Sequence, residues 1–234
     1  AVQPGDRDTA EQRLAALRAN IEQRNLTGFL VPRVDEHLGE YVARNRQRLA
    51  WLTGFTGSAG TAIVLKDKAA LFVDGRYTVQ APAQTSKDLY AHLNSADTPP
   101  SKWLKRVLSA GDRLGYDPWL HTPEGVKSMR EAATKVGAEL VAVATNPVDE
   151  VWPDQPQPPL SPVIVHGLKY AGESSGSKRK QIAETLRAEG ADAVVLTAPD
   201  SIAWLLNIRG GDLPHTPVAL GFAILHSDET VDLF

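Results

Sequence analysis

Ala10, Leu14, Leu17 and Ile21 recur at helical spacing, and Thr9 with Gln12 three residues later has the form of a capping box. The pattern predicts an amphipathic helix opening at Thr9. Asn25, which tolerates the left-handed conformation that ends helices, follows as a stop. The run Thr27 to Val31 (TGFLV) is short, apolar and β-prone, and predicts a buried strand. A second short helix is predicted over Arg46 to Thr53, ended by Gly54. A glycine-rich stretch then leads to two apolar runs, Thr61 to Leu65 and Ala69 to Val73, joined by the charged Lys66-Asp67-Lys68. That arrangement predicts a hairpin. From Asp74 to Thr145 the pattern alternates: a helix near Ser101 to Leu108, a strand near Arg113 to Tyr116, a helix after Pro123, and a strand ELVAVAT ending at Thr145. Such alternation predicts an α/β layered sheet covered by helices.

The composition then shifts. Asn146 to Val163 (NPVDEVWPDQPQPPLSPV) holds six prolines, which remove backbone donors and favour extended geometry, so the stretch 146–163 reads as a semi-rigid linker. The expected division is a first domain over 1–160 and a second over 161–234. The chain after the linker repeats the pattern of the chain before it. A helix over Ser177 to Glu189, stopped by Gly190, leads into AVVLT (Ala193 to Thr197), as the first helix leads into TGFLV. Asp200 is placed to cap a short helix SIAWLLN (Ser201 to Asn207), which matches RLAWLTG (Arg48 to Gly54) through Ala-Trp-Leu. GFAIL (Gly221 to Leu225) matches GTAIVL (Gly60 to Leu65), and each is followed by a polar turn and a further strand. Two copies of one α/β unit are expected. After its hairpin the first copy continues through alternating elements, whereas the second reaches Phe234 on an apolar strand, so a sheet edge and an apolar face are expected to lie uncovered. The expectation is a fragment of something longer.

Composition narrows the classes. A net charge of -3 and a pI near 6.1 provide no broad basic field, so nucleic acid and anionic membrane are not expected partners. There is no Cys, which excludes disulfides, thiolate catalysis and Cys-ligated zinc and fits a cytoplasmic protein. The opening residues AVQPGDRDTAEQRL lack the apolar run of a secretory signal.

Each candidate for chemistry competes with a structural explanation. Gly54 to Gly60 (GFTGSAG) lacks the Gly-Lys-Ser/Thr of a phosphate loop and lies between a helix and a hairpin, so its glycines read as a tight turn with close backbone approach. Ser58 lacks the strand-to-helix elbow of a hydrolase nucleophile. Asp212 and His215 in GGDLPHTP have no third ligand nearby and read as loop groups that bond backbone. His37, His92, His121, His166 and His226 are isolated and read as surface or capping residues. In DGRY, Asp74 to Tyr77, the guanidinium of Arg76 is able to grip a carboxylate or to pair with Asp74. Trp51 and Trp204, at matching positions of the two copies, read as core anchors.

Three segments, HLGEYVARNRQRLAWLTGFTGSAGTAIVL, LFVDGRYTVQA and SIAWLLNIRGGDLPHTPVALGFAIL, resemble the two N-terminal domains of the cytosolic, three-domain Xaa-Pro aminopeptidases, from about Arg13 to Phe234. The resemblance implies creatinase/prolidase N-terminal folds, each a mixed sheet flanked by helices. It also implies a C-terminal pita-bread domain, absent from this sequence, that holds two divalent ions, usually manganese, through two aspartates, a histidine and two glutamates. No catalytic or metal-binding residue is expected in this chain. Its implied role is inter-domain packing, homodimer formation and narrowing the approach for peptides with proline at the second position. Arg76 and Tyr77 are the candidates for a rim or inter-domain contact. The alternative is a stand-alone binding module that retains the fold without catalysis; the one-domain N-terminal part of creatinases and prolidases fits the duplication less well.

Overall fold

The computed structural model describes residues 4–234, with side chains from Thr9 onward. By spatial contact the chain forms two units, one of residues up to Val34 with Asn45–Pro156, the other of Asp35–Arg44 with Gln157–Phe234. The ten residues 35–44 therefore join the second unit although they stand between elements of the first.

The first unit opens with helix α1 (Pro4–Gln23), which begins before Thr9. Thr9 is an interior helical residue and not the cap expected of it, because proline at the first helical position is already set for the helix and lets it start earlier. Asn25 ends the helix with φ of 54°. Strand β1 (Gly28–Pro32), helix α2 (Arg48–Thr53) and the hairpin β2 (Gly60–Leu65) and β3 (Ala69–Val73) come next, as expected. Helix α3 (Gln80–Gln84) and strand β4 (Ala91–Asn94) were not predicted. Then come α4 (Pro100–Val107), β5 (Arg113–Tyr116), α5 (Pro123–Thr134) and β6 (Glu139–Ala142). The six strands form one mixed sheet in the order β4-β3-β2-β1-β5-β6. Strands β1, β2 and β3 pair antiparallel, whereas β4, β5 and β6 join parallel.

Both faces of this sheet are covered, which explains why its central strands read as unbroken apolar runs. Phe29, Val31, Ala62, Val64 and Leu71 face a core shared with Leu14, Leu17, Ile21 and Leu52. Their neighbours Leu30, Ile63, Ala70 and Phe72 face Trp103, Leu104, Leu108 and Ala133 on the other side. Burial of each large side chain contributes about 1.5–3 kcal/mol.

The proline-rich stretch does not begin as an extended linker. Its first part is helix α6 (Pro147–Val151), capped by the Asn146 side chain accepting from Val148 N. Val148 is fully buried, and Trp152 stacks on Trp51 with ring centroids 5.2 Å apart. Proline at the first helical position and two buried apolar side chains outweigh the local preference for extended backbone.

The second unit contains β7 (Ile164–Val165), α7 (Leu168–Ala171), α8 (Ser175–Ala188), β8 (Ala193–Leu196), α9 (Pro199–Leu206), β9 (Ile208–Arg209), β10 (Ala223–His226) and β11 (Val231–Leu233). Helix α9 begins at Pro199 with Ala198 as its cap position, so Asp200 lies in the first turn and does not cap. Its carboxylate accepts from the Ser201 backbone instead.

The duplication holds at the level of hydrogen-bond register. Leu30 stands opposite Ile63 and Val31 opposite Ala62; Val195 stands opposite Ile224 and Leu196 opposite Ala223. The hairpins agree as well, with Ala62 opposite Leu71 and Ala223 opposite Leu233. The helix ends also match: Leu26 N bonds to Ile21 O and Ala191 N to Leu186 O, with Gly190 left-handed where Asn25 is.

The copies differ in what covers them. Among the described residues β8 pairs only with β10, while its counterpart β1 is paired on both edges. Val195 is 65% exposed where its counterpart Leu30 is 1% exposed.

Candidate functional site

The turn after β3 gathers the DGRY residues against the glycine-rich loop. Asp74 caps the single 3-10 turn Gly75–Tyr77 by accepting from Arg76 N at 2.9 Å. The Arg76 guanidinium returns to the same carboxylate, with Nε at 3.1 Å from both oxygens and Nη2 at 2.6 Å from Oδ2. These side-chain bonds from Arg76, then its backbone N–H, hold the Asp74 carboxyl below its ordinary pKa. The Arg76 side chain remains 65% exposed, and its guanidinium carbon stands 5.2 Å from the Tyr77 ring centroid.

Tyr77 links the turn to the loop. Its hydroxyl lies 2.8 Å from Ser58 Oγ, and this bond is the main cause lowering its pKa from the usual phenol value. The Tyr77 ring meets the buried Phe55 edge-on, at 5.5 Å between centroids. Phe55 is why the loop needs its glycines. A Cβ on Gly57 would stand 2.2 Å from Phe55 Cζ and 2.9 Å from Tyr77 Cδ1. Thr56 is held from the other side, its N–H donating to Gln84 Oε1 and its hydroxyl accepting from Gln84 Nε2. GFTGSAG is therefore a close backbone wrap around one aromatic ring. The Ser58 hydroxyl is engaged with a phenol and has no histidine partner among the described residues.

Asp212 bonds backbone, as a loop residue should: Oδ1 accepts from Ser161 N at 3.1 Å and Oδ2 from Leu220 N at 2.9 Å. His215 is exposed with φ of 60°. His37 stacks on Phe222 at 4.7 Å within the second unit. His92 Nε2 lies 2.6 Å from the Thr85 hydroxyl. Burial pushes the pKa of both His92 and His121 down. Among the described residues no group of three or more His, Asp or Glu is placed to hold a metal ion. Among the described residues no ligand set fits a two-manganese centre, and no metal step is assigned to them. No helix among the described residues is long and apolar enough to cross a membrane.

Two constellations are invisible in the sequence pattern. One is Ser58 with Tyr77, whose partnership depends on how the loop folds over Phe55. The other is an ion pair in the first unit, where Arg48, 4% exposed, grips Asp149 through Nε and Nη2 at 2.7 Å each. Gln155 Nε2 donates to Asp149 Oδ1 and to Asn45 O, both at 2.8 Å. Trp204 corrects an expectation: it is 51% exposed and not a core anchor, whereas Trp51 is 8% exposed.

Comparison with known proteins places both units. Residues 13–151 and residues 154–234 each match a family model described as the creatinase/prolidase N-terminal domain. The chain is 37% identical to aminopeptidase P2 of Arabidopsis thaliana, over 94% of this chain and 32% of that protein. It is 39% identical to a probable Xaa-Pro aminopeptidase P of Aspergillus niger, over 97% of this chain and 37% of that protein. Among solved structures it is similar to the X-prolyl aminopeptidase of Caenorhabditis elegans, a cytosolic enzyme with a di-nuclear active site. That likeness has a TM-score of 0.90 and 30% identity, over 97% of this chain and 38% of that one. The chain thus spans about a third of the length of the curated relatives it matches.

Proposed function

The chain belongs to the creatinase/prolidase N-terminal domain family in both of its copies, and from that premise we propose that it is the non-catalytic N-terminal portion of a metal-dependent Xaa-Pro aminopeptidase. The observation that carries this reading is the likeness to the C. elegans enzyme through 97% of the chain at a TM-score of 0.90. A single-copy relative would account for one unit only.

In this reading the parent enzyme removes a first residue that precedes proline, using two divalent ions, manganese by family resemblance, held by residues outside this chain. Such a pair, held outside this chain, would supply an activated water and stabilisation of developing negative charge. The enzyme works in the cytoplasm as a homodimer. Residues 1–160 and 161–234 serve as two supporting domains that pack within the enzyme, contribute to dimer formation and limit access to short peptides. Arg76 and Tyr77 form a rim or inter-domain contact, supported by the exposure of Arg76 and the rigid seat that Ser58, Phe55 and Asp74 give the pair. The rival reading, a stand-alone binding module, is favoured by no specific observation.

The test is hydrolysis of an Arg-Pro-Pro peptide. The full-length protein is expected to release arginine, to lose activity with a chelator and to regain it with manganese. The 234-residue chain is expected to be inactive with manganese. Hydrolysis by this chain alone would overturn the proposal, as would an inactive full-length protein.

A further inference from the structure

Strand β4 is an outer strand of the first unit's sheet and pairs with β3 alone. Beside it and α3 lies a cleft of about 490 Å³, with Val73, Ala81 and the buried Tyr90 in its apolar wall and Lys87, His92 and Asn94 among its polar groups. The Tyr90 hydroxyl is taken by Leu52 O, so the cleft meets only its ring.

The hydrogen bonds around the cleft fix what each polar group has left to give. Thr85, 2% exposed, donates its hydroxyl proton to Ala81 O at 2.8 Å. Towards His92 Nε2, 2.6 Å away, the same hydroxyl therefore only accepts, so Nε2 carries a proton. Burial first, and the charge of Lys87 second, lower the pKa of the ring and keep it neutral. A neutral ring protonated on Nε2 has its lone pair on Nδ1, and no described residue bonds that atom. Asn94 accepts from Ala96 N through Oδ1 at 3.0 Å, which leaves Nδ2 as a donor. Lys87 is exposed and forms no ion pair among the described residues.

The cleft thus combines a cation and an amide donor with a single acceptor and an apolar wall. Lys87 disfavours a cationic ligand. A fully ionised inorganic anion needs donors only, and would face the Nδ1 lone pair and the apolar wall. The complement is a carboxylate whose adjacent carbon carries both an N–H donor and an apolar side chain. We propose that the cleft binds an N-acylated apolar amino acid, free or as the last residue of a peptide. Its carboxylate lies on Lys87 and the Asn94 amide, its N–H on His92 Nδ1, and its side chain against Val73, Ala81 and Tyr90. The sheet edge provides for a longer chain. Ser95 N bonds to Val73 O, so alternate residues of β4 turn towards β3, and the backbone N–H and C=O of His92 turn outward. The residues that precede the last one in a peptide have these two groups to pair with.

The experiment uses the whole chain, isotope-labelled, with N-acetylleucine as the first probe and nitrogen NMR of the His92 ring as the readout. The free chain is expected to show His92 protonated on Nε2, and millimolar N-acetylleucine to move the Nδ1 signal and the Val73 methyl signals. The ester analogue, in which oxygen replaces the amide N–H, should bind about tenfold more weakly, since it sets a lone pair against Nδ1. Lys87 is exposed, so Lys87→Gln should leave the fold intact and weaken N-acetylleucine about three- to fivefold. Acetyl-Ala-Ala-Leu binding severalfold more tightly than N-acetylleucine would identify the ligand as a peptide end, and equal affinity as a free N-acyl amino acid; either supports the site. A ring protonated on Nδ1, no shifts at millimolar probe, an ester that binds as well as the amide, or unchanged affinity in Lys87→Gln would overturn the proposal.

Discussion

Lys178 donates to the carbonyl oxygen of Trp204 at 2.9 Å while standing over that residue's ring. Arg13 does the same to Trp51, donating from Nη1 to its carbonyl oxygen. Each cation comes from the helix that opens its copy, and each carbonyl lies near the end of the short helix, where Trp204 O otherwise accepts only a long 3.4 Å bond from Asn207 N. The duplication has therefore preserved an interaction through a change of residue type. Lys178 is 3% exposed and also donates to Asn207 Oδ1 at 2.7 Å, so its charge is met by two oxygens and a π face.

Lys178→Met is expected to destabilise the second unit by about 1–3 kcal/mol, because it strands buried acceptors. Amide hydrogen exchange is the measurement: faster exchange should appear in α9 and leave α2 unchanged. Arg13→Met should give the reverse pattern. Equal acceleration in both helices would mean that the cations do not act locally.

Gly57→Ala is expected to cost about 1–3 kcal/mol, since its Cβ would collide with the Phe55 ring, which is fully buried and has nowhere to move. Gly75→Ala is the control. A Cβ there meets nothing within 4 Å, and stability should stay within about 0.5 kcal/mol of the parent. Urea midpoints of the two variants decide it.

Asp149→Ala leaves the Arg48 guanidinium buried without its bidentate partner, and its Nη1 already lacks a hydrogen bond. Removing one partner of a buried pair costs about 3 kcal/mol or more. Denaturant unfolding followed by tryptophan fluorescence should report the loss, together with release of Trp152 from Trp51.

The Glu150 carboxyl is depressed to about 2, first by its bond from Arg24, then by those from Asn20 and Thr145. A depressed folded-state pKa means stability that is fully present above the unfolded value of 4.5 and is lost as pH falls towards 2. The side chain is 44% exposed, so solvent screening limits the contribution to about 1 kcal/mol. Glu150→Gln is expected to flatten the stability profile between pH 5 and 2 by that amount; an unchanged acid limb would show that the cluster contributes nothing.

In Asp74, Arg76 and Tyr77 the rim candidate is testable in the full-length enzyme. Arg76→Ala should leave the fold unchanged, since the guanidinium is largely exposed, and should alter KM for short peptides or the dimer equilibrium by severalfold. Unaltered kinetics and assembly would remove Arg76 from any functional role.

The central strands were legible because their pattern is local and uninterrupted: β1, β2 and β3 are apolar on both faces and bounded by turn residues. The repeat was legible for the same reason, since Ala-Trp-Leu and Gly-x-Ala-Ile are read without knowing where they sit. Strand β4 was not. AHLN is four residues long with two polar side chains, and an edge strand only partly buried needs no apolar pattern. The helix in the proline-rich stretch was hidden because prolines suggest extended backbone unless something distant buries the residues between them.

The sequence by itself determined the α/β class, the duplication and the order of the main elements, because helix and strand periods and turn residues act within a few positions. Only the tertiary structure decided which tryptophan is covered, that Arg48 meets Asp149, that Tyr77 meets Ser58, and that residues 35–44 pack with the second unit. Those outcomes join side chains far apart along the chain, and burial and pairing at such distances depend on which surfaces the fold brings together.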